Sequence, residues 1–249
     1  MMKSLCFAVL FLTRLPVPKA WQHFDTQTQH QSIYWHPVVG LLIGTLLFGF
    51  YHVLQSTGLV NHPLPTAALV GLAWILITGG LHLDGLGDSA DGWLGGYGDK
   101  DRTLDIMKDS HSGAAAVMAI SSVLLLKVCA LAAVLSTNAA WLFVVPLLSR
   151  TCSLLLFSTT TYARSEGLGT PFSQGLDIGI IISLTLAITA SIAWFYGLQG
   201  VGLCLCLLIL TAGLRHQMIQ RIDGVTGDTA GATIEIAEAF GLIFILMLS

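Results

Sequence analysis

Charged residues are scarce in this sequence. Asp, Glu, Lys and Arg make up 10% of its 249 residues, against roughly 25% in ordinary soluble domains. No basic excess is present either, because 11 basic residues stand against 14 acidic ones and the net charge is −3. A nucleic-acid-binding surface depends on clustered positive charge. The composition therefore argues against both a water-soluble domain and a nucleic-acid partner.

Cysteine pairs with metal-binding spacing are also missing. The five cysteines form no CxxC pair and all lie in apolar runs, where cysteine behaves as a small hydrophobic residue. This pattern indicates neither a zinc site nor a disulfide framework. What the sequence does have is apolar residues, at 54% of the chain, which is typical of an integral membrane protein.

Seven apolar segments approach the roughly 20 residues that a helix needs to cross a bilayer. They are 33–54, 64–81, 113–135, 139–157, 178–196, 200–214 and 230–248. The earlier run 5–12 is too short for a signal peptide and lacks a small-residue cleavage site, so it predicts an interfacial or re-entrant helix. The fold class expected is all-α: one membrane domain over 1–249, a polytopic bundle of about seven transmembrane helices plus the short N-terminal helix.

Basic residues set the expected orientation, since Lys and Arg are retained on the cytoplasmic side of short loops. Nine basic residues lie in the segments on one side of this seven-span arrangement, and the loops 55–63, 136–138 and 197–199 on the other side have none. The N-terminus and the three long loops are therefore predicted to be cytoplasmic. Two further cations, Lys127 and Arg150, lie within apolar runs, where charged residues usually face a protein interior or a polar cavity.

Seven of the fourteen acidic residues fall between positions 84 and 109, and the segment 82–92 reads HLDGLGDSADG. If the second span continues as a helix, Asp84, Asp88 and Asp91 share one face. Like charges this close repel one another unless a cation lies between them. Oxygen ligands favour Mg²⁺, Ca²⁺ or Mn²⁺ over zinc. The spacing indicates a divalent metal site, with a solvated polar loop as the alternative.

A second acidic group stands at 223–238, which reads DGVTGDTAGATIEIAE. Asp228 and Glu235 are seven residues apart, almost two helical turns, and therefore share a face. The predicted topology brings both acidic groups to the cytoplasmic rim, together with the loop 162–169 and its Arg164. Four arginines there are candidates for bidentate phosphate binding: Arg102, Arg164, Arg215 and Arg221. Carboxylate-held Mg²⁺ plus arginine favours phosphoryl transfer.

These motifs resemble the cobalamin synthase family, the adenosylcobinamide-GDP ribazoletransferases. The matching segments are GGLHLDGLGDSADG at 79–92, RTLDIMKDS at 102–110, ARSEGLG at 163–169, GDTAGATIE at 227–235 and LTRLPVP at 12–18. The resemblance implies a multi-pass enzyme of the bacterial inner membrane that acts late in coenzyme B12 synthesis and requires Mg²⁺. Its substrates would be adenosylcobinamide-GDP and α-ribazole or its 5′-phosphate, and its products adenosylcobalamin or its 5′-phosphate and GMP.

The pattern of acidic residues and the family resemblance together predict roles for individual side chains. We expect Asp84, Asp88 and Asp91 to bind Mg²⁺, with Asp228 and Glu235 completing the site or positioning the attacking hydroxyl. One carboxylate of this set is the expected general base, and His82 is the alternative, unless it is a hydrogen-bonded interfacial histidine. Substrate contacts are predicted at five further positions: Arg102, Asp105, Asp109, Arg164 and Glu166. Asp105 and Asp109 could instead pair with Arg102 and Lys108 as surface charges. We expect membrane lipid to surround the protein. The sequence is compatible with a homo-oligomer.

Two other functions fit parts of the sequence. A small ion-coupled secondary transporter would use Gly-interrupted spans with ionisable residues near the bilayer midplane, and it predicts a detectable internal repeat. A CDP-alcohol phosphotransferase of lipid synthesis would need a DGxxAR signature, whereas 84–88 reads DGLGD without an arginine. No repeat is visible in the sequence, which disfavours the transporter. We keep both functions as alternatives to the transferase.

Overall fold

The computed structural model describes residues 2–164, 172 and 175–248. Throughout this part of the chain the secondary structure is helical, with one isolated β-bridge between Tyr162 and Val225. The fold class is all-α, as predicted. The α-helices, in order, are α1 (Met2–Leu12), α2 (Thr26–Gln31), α3 (His36–Ser56), α4 (Pro63–Thr78), α5 (Leu81–Gly95), α6 (Lys100–Ile106), α7 (Ala114–Thr137), α8 (Trp141–Thr159), α9 (Ile178–Ile222) and α10 (Gly227–Met247). Short 3₁₀ helices cover Lys19–Trp21, Ser32–Trp35 and Leu59–Asn61.

Among the described residues, five helical segments are long and apolar enough to cross a membrane, and α4 with α5 forms a sixth if that bent pair counts as one span. The 45-residue α9 consists of two helical halves that meet at Gly197. Its Gly197 has φ 56° and ψ −139°, outside helical geometry. A Cβ at Gly200 would lie 2.8 Å from the carbonyl oxygen of Ile192 on the other side of this break, and Ile181 and Met218 belong to one buried cluster. Since residues 37 apart in a straight helix would lie about 55 Å apart, the chain reverses at Gly197, as the predicted 197–199 loop requires.

The loops group at the two ends of the bundle as the sequence predicted. At one end Lys100 pairs with Asp223 at 2.8 Å, and the backbone nitrogen of Asp177 donates to the Tyr34 hydroxyl at 2.7 Å. At the other end the Gln199 side chain donates to the carbonyl of Leu248 at 2.6 Å. The basic loops therefore lie together on one side, opposite the uncharged ones.

The centre of the bundle is formed by α8 and α10, the most buried of the apolar helices. Around them lie α3, α4, α7 and the two halves of α9, whose outer faces are apolar and exposed. N-terminal α1 packs beside α2 and α3 and buries Ala8 and Leu12 completely. Its helical character agrees with the prediction, and its position relative to lipid remains a prediction.

The second predicted span does not continue straight into the acidic segment. Gly79 and Gly80 both adopt left-handed backbone angles, with φ 65° and 70°, which glycine reaches without the strain that a Cβ causes. The axis turns by 87° between α4 and α5 at this point. Helix α5 then packs against α7 and α10, which carries its aspartates away from the line of α4.

Candidate active site

The candidate site lies where α5 crosses the start of α10. Gly85 faces the backbone of Asp228, and Gly231 faces the backbone of His82, with a Cβ at position 231 only 3.2 Å from the His82 Cα. Small residues let two helices approach this closely. Because residues 84–91 form one helix, Asp84 and Asp88 stand one turn apart beside Asp228.

Three carboxylates meet at this crossing. Asp84 and Asp228 line the same cavity, and Asp88 lies within electrostatic reach of both. Asp84 is exposed, while Asp88 and Asp228 are half-buried. The guanidinium of Arg164 lies 2.7 Å from Oδ2 of Asp228. The structure therefore brings these three aspartates, from distant parts of the chain, to one end of the bundle.

Magnesium binding stays a prediction. Carboxylate oxygens are the ligands that Mg²⁺ prefers, and three of them around one arginine leave an excess of negative charge. Within the described ranges, however, no group of three His, Cys, Asp or Glu side chains is arranged to hold a metal ion. The three carboxylates suit a divalent cation, but they would have to move closer together to bind the ion.

Asp91 is engaged by backbone nitrogens at the start of α7. Its Oδ2 accepts a hydrogen bond from the Gly113 nitrogen at 2.6 Å, and its Oδ1 accepts one from the Ala116 nitrogen at 3.0 Å. These nitrogens belong to the first turn of α7, whose amides have no partner inside the helix. Asp91 thus fixes the start of α7 against α5, and the geometry does not support it as a metal ligand.

Glu235 is likewise committed to a structural ion pair. Its Oε2 lies 2.9 Å from Lys127 Nζ, which also lies 2.6 Å from Oε2 of Glu238. The other oxygen of Glu238 pairs with Arg150, and the Lys127 ammonium stands over the Trp74 ring, 4.5 Å from its centroid. The expected role of Glu235 at the metal is not supported, because its carboxylate faces this buried network.

His82 connects the network to the candidate site. The residue is 5% exposed, its Nδ1 lies 3.4 Å from Nη2 of Arg150, and it belongs to the lining of the cavity that Asp84 and Asp228 share. Its Nε2 has no hydrogen-bond partner among the described residues. The role of His82 as alternative base stays a prediction.

The predicted substrate residues on α6 lie on the outer rim. Arg102, Asp105 and Asp109 line an open depression there. Asp105 is 3.8 Å from Lys108, and Asp109 bonds His111 at 2.7 Å, a hydrogen bond that lowers the pKa of Asp109. Asp105 therefore has one of the surface pairings that the sequence suggested, whereas Asp109 pairs with His111 instead. Substrate contacts at Arg102, Asp105 and Asp109 stay a prediction. Predicted residue Glu166 lies outside the described residues.

Of the four candidate phosphate-binding arginines, Arg164 alone has a contact with the aspartates in the described part of the chain. Arg215 donates to the carbonyl of Thr159 and the hydroxyl of Thr160, and Arg221 donates to the carbonyl of Trp93. Both therefore serve to tie α9 to its neighbours.

Sequence reasoning missed Arg14, which lines the cavity of Asp84 and Asp228. Its backbone nitrogen bonds the carbonyl of Ile77 at 2.8 Å, and its side chain fills the space beside Gly79. Arg14 belongs to the segment 12–18 that carries part of the family resemblance. Its position beside the bend between α4 and α5 is visible only in the fold.

Comparison with known proteins agrees with this geometry. A family model described as cobalamin-5-phosphate synthase matches residues 4–246. Among relatives named adenosylcobinamide-GDP ribazoletransferase, that of Pseudomonas paraeruginosa is 43% identical over 243 residues, covering 97% of both chains. That of Alkalilimnicola ehrlichii is 43% identical over 250 residues, covering 98% of this chain and 95% of the relative. That of Pseudomonas syringae is 43% identical over 219 residues, 88% of each. No solved structure gives a significant match. The chain belongs to the cobalamin-5-phosphate synthase family.

Proposed function

We propose that this chain carries out the adenosylcobinamide-GDP ribazoletransferase reaction for which its relatives are named. The acceptor is α-ribazole or its 5′-phosphate. A ribose hydroxyl forms a new bond to the phosphorus that carries cobinamide, the bond from that phosphorus to GMP breaks, and the hydroxyl proton passes to a base. The observation that carries the proposal is the meeting of Asp84, Asp88 and Asp228 with Arg164 at one end of the bundle.

The residues divide between charge neutralisation and proton transfer. Arg164 can offer a planar pair of donors to phosphate oxygens, and Arg14 lines the same cavity as a second cation. Either Asp84 or Asp228 can accept the hydroxyl proton, since both carboxylates line the cavity. Phosphoryl transfer needs mainly positioning and charge stabilisation, which this set of groups supplies.

A divalent cation, Mg²⁺ in the first instance, would be held by Asp84, Asp88 and Asp228. When bound it would neutralise charge on the phosphate oxygens. Without it, the three carboxylates would repel a substrate that carries a diphosphate, so the cation also explains how an acidic site accepts an anion.

The site belongs to the cytoplasmic face of the inner membrane in this proposal. The nine basic residues in the loops that share its end of the bundle support that orientation by the positive-inside rule. The GDP-bearing substrate and Mg²⁺ can then both reach the site from the cytoplasm. Membrane lipid would surround the exposed apolar faces of α3, α7 and α9.

The transporter alternative has one observation in its favour, the charges buried inside the bundle. Lys127, Arg150 and Glu238 are all nearly or fully inaccessible. They are paired with one another, however, and the matched relatives are named as transferases. The CDP-alcohol phosphotransferase alternative loses its support for the same reason.

The direct test supplies membranes bearing this protein with adenosylcobinamide-GDP, Mg²⁺ and either α-ribazole or its 5′-phosphate. We expect GMP and the corrinoid product to form in equal amounts, and neither to form in membranes without the protein. The preferred acceptor is the one with the higher kcat/KM. GMP release that does not depend on either acceptor, or no release at all, contradicts the proposal.

A further inference from the structure

A cavity of about 440 Å³ opens beside the candidate site, between α1, the loop that follows it, α5, α8 and α10. Its lining combines aromatic and polar residues. Four phenylalanines, called the aromatic wall below, line it together with Arg14, His82, Asp84 and Asp228. The phenylalanines are Phe7, Phe11, Phe24 and Phe157. A ligand that fits this lining has an apolar aromatic part and a polar part.

The aromatic wall is held in place by ring contacts. Phe7 meets Phe24 edge to face, with centroids 5.1 Å apart, and stacks on Phe11 at 6.3 Å. Phe172 contacts Phe11 at 5.0 Å and Phe157 at 5.4 Å, also edge to face. Such pairs favour defined relative orientations of the rings. The phenylalanines of the cavity lining are therefore held in defined orientations relative to one another.

We propose that this cavity binds the base of the acceptor nucleoside, with the ribose turned toward Asp84 and Asp228. This inference rests on the proposed function. The base of α-ribazole is an apolar bicyclic aromatic with one free ring nitrogen, and it suits a wall of phenylalanines. The guanine of the other substrate presents several donors and acceptors that phenylalanine cannot satisfy, and leaving them unpaired would cost binding.

His82 supplies a matching polar contact. The Arg150 guanidinium has donors only, so the His82 Nδ1 that faces it accepts and the ring proton resides on Nε2. Nε2 has no partner among the described residues, which leaves a buried N–H donor on a residue of the cavity lining. The free ring nitrogen of the base is an acceptor. We therefore assign His82 as the residue that recognises it.

The first test changes the aromatic wall. Phe24 lies in the loop before α2 and is half-buried, so Phe24→Ala removes little of the core. We expect the KM for α-ribazole to rise about 10-fold, the scale of losing one aromatic stacking partner, while the KM for adenosylcobinamide-GDP stays within twofold. Phe24→Trp should restore much of the affinity. The matched control is Phe195→Ala, at a ring that is 79% exposed on α9, and it should change neither constant.

The second test measures binding without turnover. Equilibrium dialysis of labelled α-ribazole against purified protein should show weaker binding in Phe24→Ala and His82→Ala, with His82→Gln, which keeps a side-chain N–H, closer to wild type. Retained binding of adenosylcobinamide-GDP confirms that each variant is folded. Unchanged α-ribazole affinity in both alanine variants, or lost affinity for the GDP substrate instead, overturns the assignment. Absence of GMP release by wild type would refute the proposed function while leaving this binding measurement decisive for the cavity.

Discussion

Gly85 and Asp228 are in backbone contact across the crossing of α5 and α10. A Cβ at position 85 would come within 2.7 Å of the Asp228 carbonyl oxygen and 2.9 Å of its Cα. The crossing that brings the aspartates together therefore requires glycine at this position. The atoms of Asp228 that a Cβ would meet belong to the backbone, which cannot move aside as a flexible side chain could.

Gly85→Ala is expected to separate the two helices. Overpacking of this kind costs about 1–3 kcal/mol in stability, and a shift of about 1 Å at a reacting site can cost about 100-fold in rate. We expect a fall in kcat/KM of at least tenfold, measured by GMP release. Gly49→Ala in α3 is the control, because nothing lies within 4 Å of a Cβ there. Equal activity of the two variants would contradict the contact.

Lys127→Met is expected to destabilise the protein strongly. The substitution leaves Glu235 without the cation that lies 2.9 Å away, and breaking one side of a buried ion pair costs about 3–5 kcal/mol. Glu238 keeps Arg150. The double variant Lys127→Met with Glu235→Gln should therefore recover part of the loss. The measurement is denaturation in detergent micelles, with the exposed Lys108→Met as control. A double variant no more stable than the single one would contradict the pairing.

Arg164→Lys keeps the positive charge but loses the planar pair of donors. We expect the KM for adenosylcobinamide-GDP to rise about tenfold or more, since hydrogen bonds to charged groups contribute about 1.5–3 kcal/mol. Arg215→Lys, whose parent side chain bonds Thr159 and Thr160, should leave that constant near wild type. A normal KM in Arg164→Lys would argue against a phosphate contact.

The proposed orientation predicts which engineered cysteines react in intact cells. In a background lacking the five native cysteines, a maleimide that cannot cross the membrane should label Gln199→Cys beside the Gly197 turn. It should label Asp101→Cys on α6 only after the membrane is opened. The reverse pattern would place the aspartates on the outer face and contradict the cytoplasmic site.

Periodicity and charge predicted the parts of this protein that depend on local sequence. The seven apolar segments, the grouping of basic loops at one end and the meeting of Asp84 and Asp88 with Asp228 follow from helix geometry and the alternation of spans. The bend after α4 was not predicted, although Gly79 and Gly80 stand together there. Two adjacent glycines permit such a turn without fixing its angle.

Partners far apart in the chain account for the contacts that the sequence did not predict. Asp91 accepts from the nitrogen of Gly113, 22 residues later, at the start of α7, and Glu235 pairs with Lys127 across 108 residues. In the sequence each carboxylate looks like another member of an acidic cluster. The structure gives both of them a partner within the bundle, and their binding of a metal ion stays a prediction.

Binding of Mn²⁺, followed by electron paramagnetic resonance, shows whether Asp84, Asp88 and Asp228 together hold a divalent cation. We predict saturable binding to the wild-type protein, displaced by Mg²⁺, and at least tenfold weaker binding in both Asp84→Asn and Asp228→Asn. The control Asp101→Asn, at an exposed position of α6, should bind as wild type does. Binding that is unchanged in the Asp84 and Asp228 variants, or no saturable binding to the wild type, would mean that these aspartates do not form a cation site.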